Sequence, residues 1–218
     1  MVDILIATKN SHKARELKTL LRVRGIRWHS LAEFPDVPSV VEDGRTFETN
    51  AAKKAKVMAG ATGLLALADD SGIEVQALGW GPGVKSARFA RRHGNDQANN
   101  AKLLRLLTGL PMAKRRARYR CVLVLADSRR VLAQTTGTWS GRIAFAPAGR
   151  TGFGYDPLFL VPGTGKTVGQ LPAAAKRRLS HRAAAAQPMR TLLRRFVQRT
   201  VSGRTGSGAG RAGRARVV

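Results

Sequence analysis

Residues 64–90, LLALADDSGIEVQALGWGPGVKSARFA, do most to limit what this chain can fold into. A short apolar run bounded by turn residues predicts a buried strand. That strand would deliver Asp69 and Asp70 to its own C-terminal edge. Ligands of open α/β sheets bind in the crevice outside the strand ends. Carboxylate oxygens are preferred ligands of Mg²⁺, which keeps waters and substrate phosphates as its other ligands. One reading is therefore a metal-assisted reaction on a phosphate. The other is that Asp69-Asp70-Ser71-Gly72 opens a turn, since these residue types all favour turns. The stretch alone leaves both open.

At 218 residues, with 43% hydrophobic content, the chain is long enough for one domain with a sizeable core. No apolar run approaches the ~20 residues of a membrane span, and no basic region followed by an apolar core predicts a secretory signal. Cys121 is the single cysteine, which rules out an intrachain disulfide and fits a cytoplasmic protein. Lys and Arg number 39 against 13 Asp and Glu, a net of +26, and no acid follows Asp156. Such a charge attracts polyanions, either nucleic acid or phosphorylated small molecules.

In chain order, residues 3–8 read as a buried strand, followed by a helix from Asn10 or Ser11 to Leu21 with Leu17, Leu20 and Leu21 on one face. The intervening Thr8-Lys9-Asn10-Ser11-His12-Lys13 reads either as a phosphate cradle at a helix N-terminus or as an ordinary helix cap with solvated lysines. A strand over 26–31, a helix over 46–61 with Asn50 and Lys54 on one face, and a helix over 95–107 follow. Residues 117–126 and 130–139 read as a hairpin turning at Asp127-Ser128-Arg129. The glycine-rich, aromatic loop over 149–157 offers Phe153 and Tyr155 for stacking on a base. Pro162 to Thr167 imitates a phosphate-binding loop but has Leu160 where that motif needs glycine. Residues 176–182 open the last helix, which runs to about 199, with Ser180 as a helix cap. The four histidines show no metal-ligand spacing. Residues 1–199 form the domain, and 200–218 are a basic Gly/Ala/Arg-rich tail without a core-forming pattern, expected to be disordered.

The motifs occur in a specific order. They are Thr8-x-Asn10-x-x-Lys13-x-x-Glu16, Thr46-Phe47-Glu48-x-Asn50-Ala51, Ala68-Asp69-Asp70-Ser71-Gly72, Pro82-Gly83-Val84-x-Ser86-Ala87-Arg88, Gly152-Phe153-Gly154-Tyr155-Asp156-Pro157-x-Phe159 and Ser180-His181-Arg182. This order resembles the inosine/xanthosine triphosphate pyrophosphatase family, over residues 3–198. The resemblance implies an α/β fold in which a long mixed β-sheet is flanked by helices, with two lobes and a central nucleotide cleft. It implies a homodimer that uses Mg²⁺ to hydrolyse ITP, dITP and XTP to the monophosphate and pyrophosphate. Asp70 matches the catalytic base and Ser71 a substrate contact. Thr8, Lys9, Asn10, Ser11, His12 and Lys13 match the triphosphate loop, and Lys54 and Lys176 match substrate lysines. Phe153, Gly154, Tyr155, Asp156, His181 and Arg182 match the purine pocket. Metal would be held by Asp69, Asp70 and Glu42. The chain departs from the family in having Val41 where a glutamate is often found, alanines before Lys176, and Trp80 and Lys85 where a small residue and an aromatic are frequent. Two rival readings are a Maf-like nucleotide pyrophosphatase of other specificity and a basic nucleic-acid-binding protein, the latter with nonspecific contact through the tail.

Overall fold

The computed structural model describes residues 1–91 and 94–205. His93 and the tail from 206 onward, on which the expectation of disorder mostly falls, lie outside the described residues. The strands are β1 (Val2–Ile6), β2 (Ile26–Ser30), β3 (Leu65–Val75), β4 (Gly81–Pro82), β5 (Arg116–Ala126), β6 (Val131–Ile143) and β7 (Phe159–Leu160). They form one mixed sheet in the order β2-β1-β3-β5-β6-β7, with β4 folded back on β3. The β1 strand is parallel to both β2 and β3, whereas β3, β5, β6 and β7 alternate antiparallel. The helices are α1 (Ser11–Leu20), α2 (Phe47–Thr62), α3 (Asp96–Leu106), α4 (Ala173–Leu179) and α5 (His181–Thr205).

Local chemistry sets most boundaries. Asn10, Thr46 and Asn95 each accept backbone N–H bonds at the start of α1, α2 and α3, satisfying donors that a helix leaves free. The α2 helix ends at Gly63 with φ +70°, a conformation that glycine adopts without strain. Asp127 Oδ1 accepts from the amides of Arg129 and Arg130 at 2.8 and 2.7 Å, so the expected hairpin turns where its sequence indicates.

Two expectations are corrected. The β3 strand does not end at Asp69-Asp70; it continues to Val75, and Asp69, Asp70, Ser71 and Gly72 pair with Leu123, Val122, Cys121 and Arg120 of β5. An antiparallel ladder with β5 satisfies one edge of β3 there, and side chains serve the other edge, with Lys54 donating to Asp69 O and Ser71 N and Ile73 N bonded to Asp70 Oδ1 and Ser86 Oγ; together they override the turn preference of these residue types. The expected crevice exists for a different reason. The β1 strand stops at Ile6, opposite Leu67, so both aspartates lie beyond the carboxyl end of their parallel neighbour. The second correction concerns the C-terminal helix. It breaks at Ser180 (φ −68°, ψ 155°), which places Lys176 on a separate helix, α4. Ser180 Oγ then caps α5 by accepting from Ala183 N at 3.1 Å.

Two packing units share the long strands. Around β1 and the first half of β3, Ile4, Leu17, Leu67 and Leu193 pack under α1 and α5, while Leu5, Ala51, Ala55 and Val124 pack under α2. At the other end Ile73, Tyr119, Phe159 and Leu103 form a core with α3. The change from one to the other falls at Asp69–Gly72, which makes the molecule two-lobed with its cleft at mid-strand.

Candidate active site

Successive strand residues point to opposite faces of a sheet. Asp70 therefore faces α2, and Asp69 and Ser71 face α1 and α5. On the α2 face, Asp70 lines a cavity of about 310 Å³ with Glu42, Lys54, Lys13 and the Thr8–Asn10 turn. Asn50, one turn before Lys54, accepts the Gly44 amide at 2.8 Å and so fixes the loop carrying Glu42. Lys54 donates to the Asp69 carbonyl at 2.8 Å and pairs with Glu42 at 2.6 Å. Burial pulls the Lys54 ammonium down, but Asp69, Glu42 and Asp70 outweigh it and hold the pKa above its ordinary value. Burial pushes the Asp70 carboxyl up to about 6; Lys54 and Lys13 oppose the rise, and Glu42 and Asp69 add to it. Asp70 Oδ1 accepts from Ser71 N at 3.0 Å, whereas Oδ2 is buried with no hydrogen-bond partner. Asn10 is spent as a helix cap, accepting from His12 N and Lys13 N, and Lys9 donates to Ser39 at 2.8 Å.

On the opposite face an ion network runs through the protein. Lys13 pairs with Asp69 at 3.1 Å, and Ser71 Oγ donates to Asp69 Oδ2 at 3.0 Å. Arg182, 1% exposed, donates to Ser71 Oγ at 2.9 Å and pairs with Glu16 and, at 3.6 Å, with Asp69. Lys176 pairs with Glu16 at 3.1 Å and Asp156 at 2.6 Å. Asp156 in turn accepts from Tyr119 OH at 3.2 Å and Phe153 N at 2.9 Å. Burial alone would raise the Asp69 pKa, but Lys13, Arg182 and Lys54 hold it well below the carboxylate range. Burial, with Arg182 and Lys176 nearby, keeps His181 neutral, and its ring stacks on Tyr119 at 4.7 Å.

A second cavity of about 310 Å³ lies against Phe153, with His12, Arg15, Glu16, Lys176 and Arg177 in its walls. Lys176 Nζ sits 4.2 Å from the Phe153 ring centre. Tyr155 does not reach it. Its ring is buried, and its hydroxyl donates to Ser86 O at 2.8 Å, so it anchors the loop from beneath instead of offering a stacking face. Gly154 is tied by its amide to Asp96 at 2.6 Å. Asp156, His181 and Arg182 are buried behind the cavity, and Ser11 opens α1 at the exposed surface. Glu16 is the residue the sequence reading left out of the site. Its signal was present: Asn10, Lys13 and Glu16 recur every three residues, which places them along one helix face.

Asp70 with its free Oδ2 and Glu42 across the same cavity are hard oxygen donors, and Mg²⁺ is commonly held by one or two carboxylates plus substrate phosphates. These two fit. Asp69 does not join them: its carboxylate is on the other face, with Oδ2 engaged by Lys13, Ser71 and Arg182. Among the described residues no three His, Cys, Asp or Glu side chains form a metal-holding group by themselves. Val41 is 68% exposed and lies outside the cavity wall.

A dITP/XTP pyrophosphatase of Geobacillus kaustophilus is 48% identical over 185 residues, covering 85% of this chain and 91% of the relative. That of Shouchella clausii is 47% identical, with 85% and 93% coverage. A solved HAM1 protein from Coxiella burnetii superposes with a TM-score of 0.81 at 39% identity, covering 88% of this chain and 98% of its own. Residues 4–192 match the Ham1 family, and with the sheet, the cleft and these relatives in agreement, the chain belongs to that family.

Proposed function

We propose that this protein hydrolyses deaminated purine nucleoside triphosphates, of the ITP, dITP and XTP class, to the monophosphate and pyrophosphate. The observation that carries the reading is the pair of adjoining cavities. One is walled by Asp70, Glu42 and lysines and the other by Phe153, and the Lys13–Asp69–Arg182–Glu16–Lys176 network joins them. A charged triphosphate suits the first and a purine ring the second. The names of the relatives support the same substrates.

Asp70 Oδ2 is free to take the proton of an attacking water, and a carboxyl near 6 is ionised at neutral pH while remaining basic enough to do so. Lys9, Lys13 and Lys54 hold the phosphates, Lys54 being kept charged by its acidic neighbours. Mg²⁺ held by Asp70 and Glu42 would neutralise phosphate charge and orient the water. For base choice, the 6-oxygen of inosine and xanthine accepts a hydrogen bond where the adenine amine donates one. Lys176, in the wall beside Phe153, is a donor only. A mismatch of this kind discriminates by roughly 10⁴. Arg182 serves by positioning, since its terminal nitrogens are engaged by Glu16, Ser71 and Asp69.

Product analysis with dITP, XTP, ATP and GTP tests the reading. Pyrophosphate from dITP and XTP, with ATP poorly used, is the expected result. Release of orthophosphate overturns it. Asp70→Asn should lose turnover by about 10² or more if it removes the general base.

A further inference from the structure

The first turn of α1 sends its side chains to two different places. Lys13 reaches Asp69 and lines the Asp70 cavity. His12, its neighbour, is absent from that wall and lines the Phe153 cavity instead. Its ring stacks on Phe153 with centroids 5.3 Å apart and planes 25° from parallel. The backbone amide of His12 is already satisfied by Asn10 Oδ1 at 2.9 Å. Arg15 Nη2 lies 3.3 Å from His12 Nδ1. Arginine only donates, so in this contact Nδ1 is the acceptor.

We propose that His12 contacts the purine: the base is enclosed between the imidazole and the Phe153 ring, and the side chain is not a phosphate ligand like Lys13. The proposal rests on the purine triphosphate reading above. A base between two rings needs about 7 Å from ring to ring, two van der Waals layers of about 3.5 Å. The observed 5.3 Å is too small, so one ring must move. The Phe153 backbone N–H donates a hydrogen bond to the Asp156 carboxylate, itself pinned by Lys176 and Tyr119, and so holds that residue in place. His12 is exposed, and the contact that holds its ring from outside the stack is the one to exposed Arg15. His12 is therefore the wall that swings out and closes on the base.

The substrate divides into two halves that report on the two ends separately. Binding of dIMP and of inorganic pyrophosphate, each with Mg²⁺, is measured by calorimetry on the full chain and on His12→Ala, His12→Phe and Lys13→Ala. His12→Ala should weaken dIMP by about 3–10-fold, the worth of one aromatic contact, and leave pyrophosphate within about twofold. His12→Phe should restore dIMP binding, and Lys13→Ala should show the mirror pattern. Equal weakening of both ligands by His12→Ala would put the residue at the phosphate end, and unchanged dIMP binding would make it a bystander; either result overturns the proposal. Because His12 is at the surface, its removal leaves the core intact, and melting curves of each variant check this. Pyrophosphate release from dITP by the unmodified chain is followed on the same preparation, so failure of the substrate reading registers separately.

Discussion

Burial moves the Asp70 carboxyl from 3.8 to about 6, with Lys54 and Lys13 opposing the rise and Glu42 and Asp69 adding to it. The folded state therefore holds this proton more tightly than the unfolded chain, and the ionised group opposes folding above both values. The difference corresponds to about 3 kcal/mol, an order-of-magnitude figure. Asp70→Asn should accordingly melt higher than the parent at pH 8 in the presence of a chelator. That advantage should shrink as the pH falls through about 6 toward 3.8, where the parent carboxyl is neutral in the fold. Thermal melts across this range check it; a variant that melts lower at pH 8 would mean that the carboxylate stabilises the fold. Asp69 behaves oppositely, as a buried anion held by Lys13 and Arg182. Arg182→Ala would leave Asp69 to Lys13 and Glu16 to Lys176, removing one cation from a buried network, and should cost about 3 kcal/mol in a denaturant titration. The division of labour between Asp69 and Asp70 was half legible in the sequence. The pair marks the site, but their separation onto two faces follows from β3 continuing past them, and Asp, Ser and Gly signal a turn until β5 is there to pair.

The long antiparallel ladder carries the site from lobe to lobe, and α5 fixes its depth. Gly137 on β6 lies directly beneath this helix; a Cβ there would overlap His181 O and Ala185 N. The helix can sit this close only over glycine, and Thr135 Oγ1 bonds Ala185 O at 2.8 Å beside it. Gly137→Ala should push α5 outward, cost about 3 kcal/mol and impair turnover by displacing Arg182; denaturant midpoints and dITP kinetics test both effects. At the sheet edge, His29 bridges Asp3 at 2.9 Å and Glu33 at 2.8 Å. These bonds raise His29 above 6.5, so its contribution is complete below 6.5 and is lost as the pH rises through the raised value. They also lower Asp3 and Glu33, chiefly through the His29 bond for Asp3 and the Ser30 amide for Glu33, so theirs is present above 3.8 and 4.5 and is lost on acidification. The clasp between β1 and β2 is thus strongest between these limits. NMR titration should find His29 above 6.5, and Glu33→Gln should bring it down; an unmoved value would refute the clasp. Starts of helices were readable because a cap is local, as at Asn10, Thr46 and Asn95. The cap at Ser180 was readable in the same way, but the separate helix α4 before it was not, since residues 176–182 contain neither glycine nor proline and only the packing of α4 and α5 separates them.

Across the whole molecule, five of the 13 acids, Glu16, Glu42, Asp69, Asp70 and Asp156, are gathered at the two cavities and matched there by lysines and Arg182. The fold in this way concentrates acid where a metal and a proton acceptor are needed and leaves the remaining surface more basic than composition alone indicates. The lopsided charge was plain from the sequence; its distribution required the structure, because the acids that meet at the cleft come from α1, the loop before α2, β3 and the Phe153 loop. A field of this sign draws a triphosphate from a distance, and that attraction is screened beyond about 30 Å at 0.01 M salt but beyond only about 8 Å at 0.15 M. Raising KCl across that range with Mg²⁺ fixed should therefore lower kcat/KM for dITP steeply while kcat stays nearly flat, because salt acts on encounter and not on the bound complex. The effect belongs to the body of the molecule, since only Arg204, Arg211, Arg214 and Arg216 of the 39 basic residues fall after residue 199. A chain ending at Thr205 should keep most of the salt dependence. If truncation abolishes it, the tail gathers substrate; if kcat/KM ignores salt in both chains, the charge of +26 has no part in substrate capture.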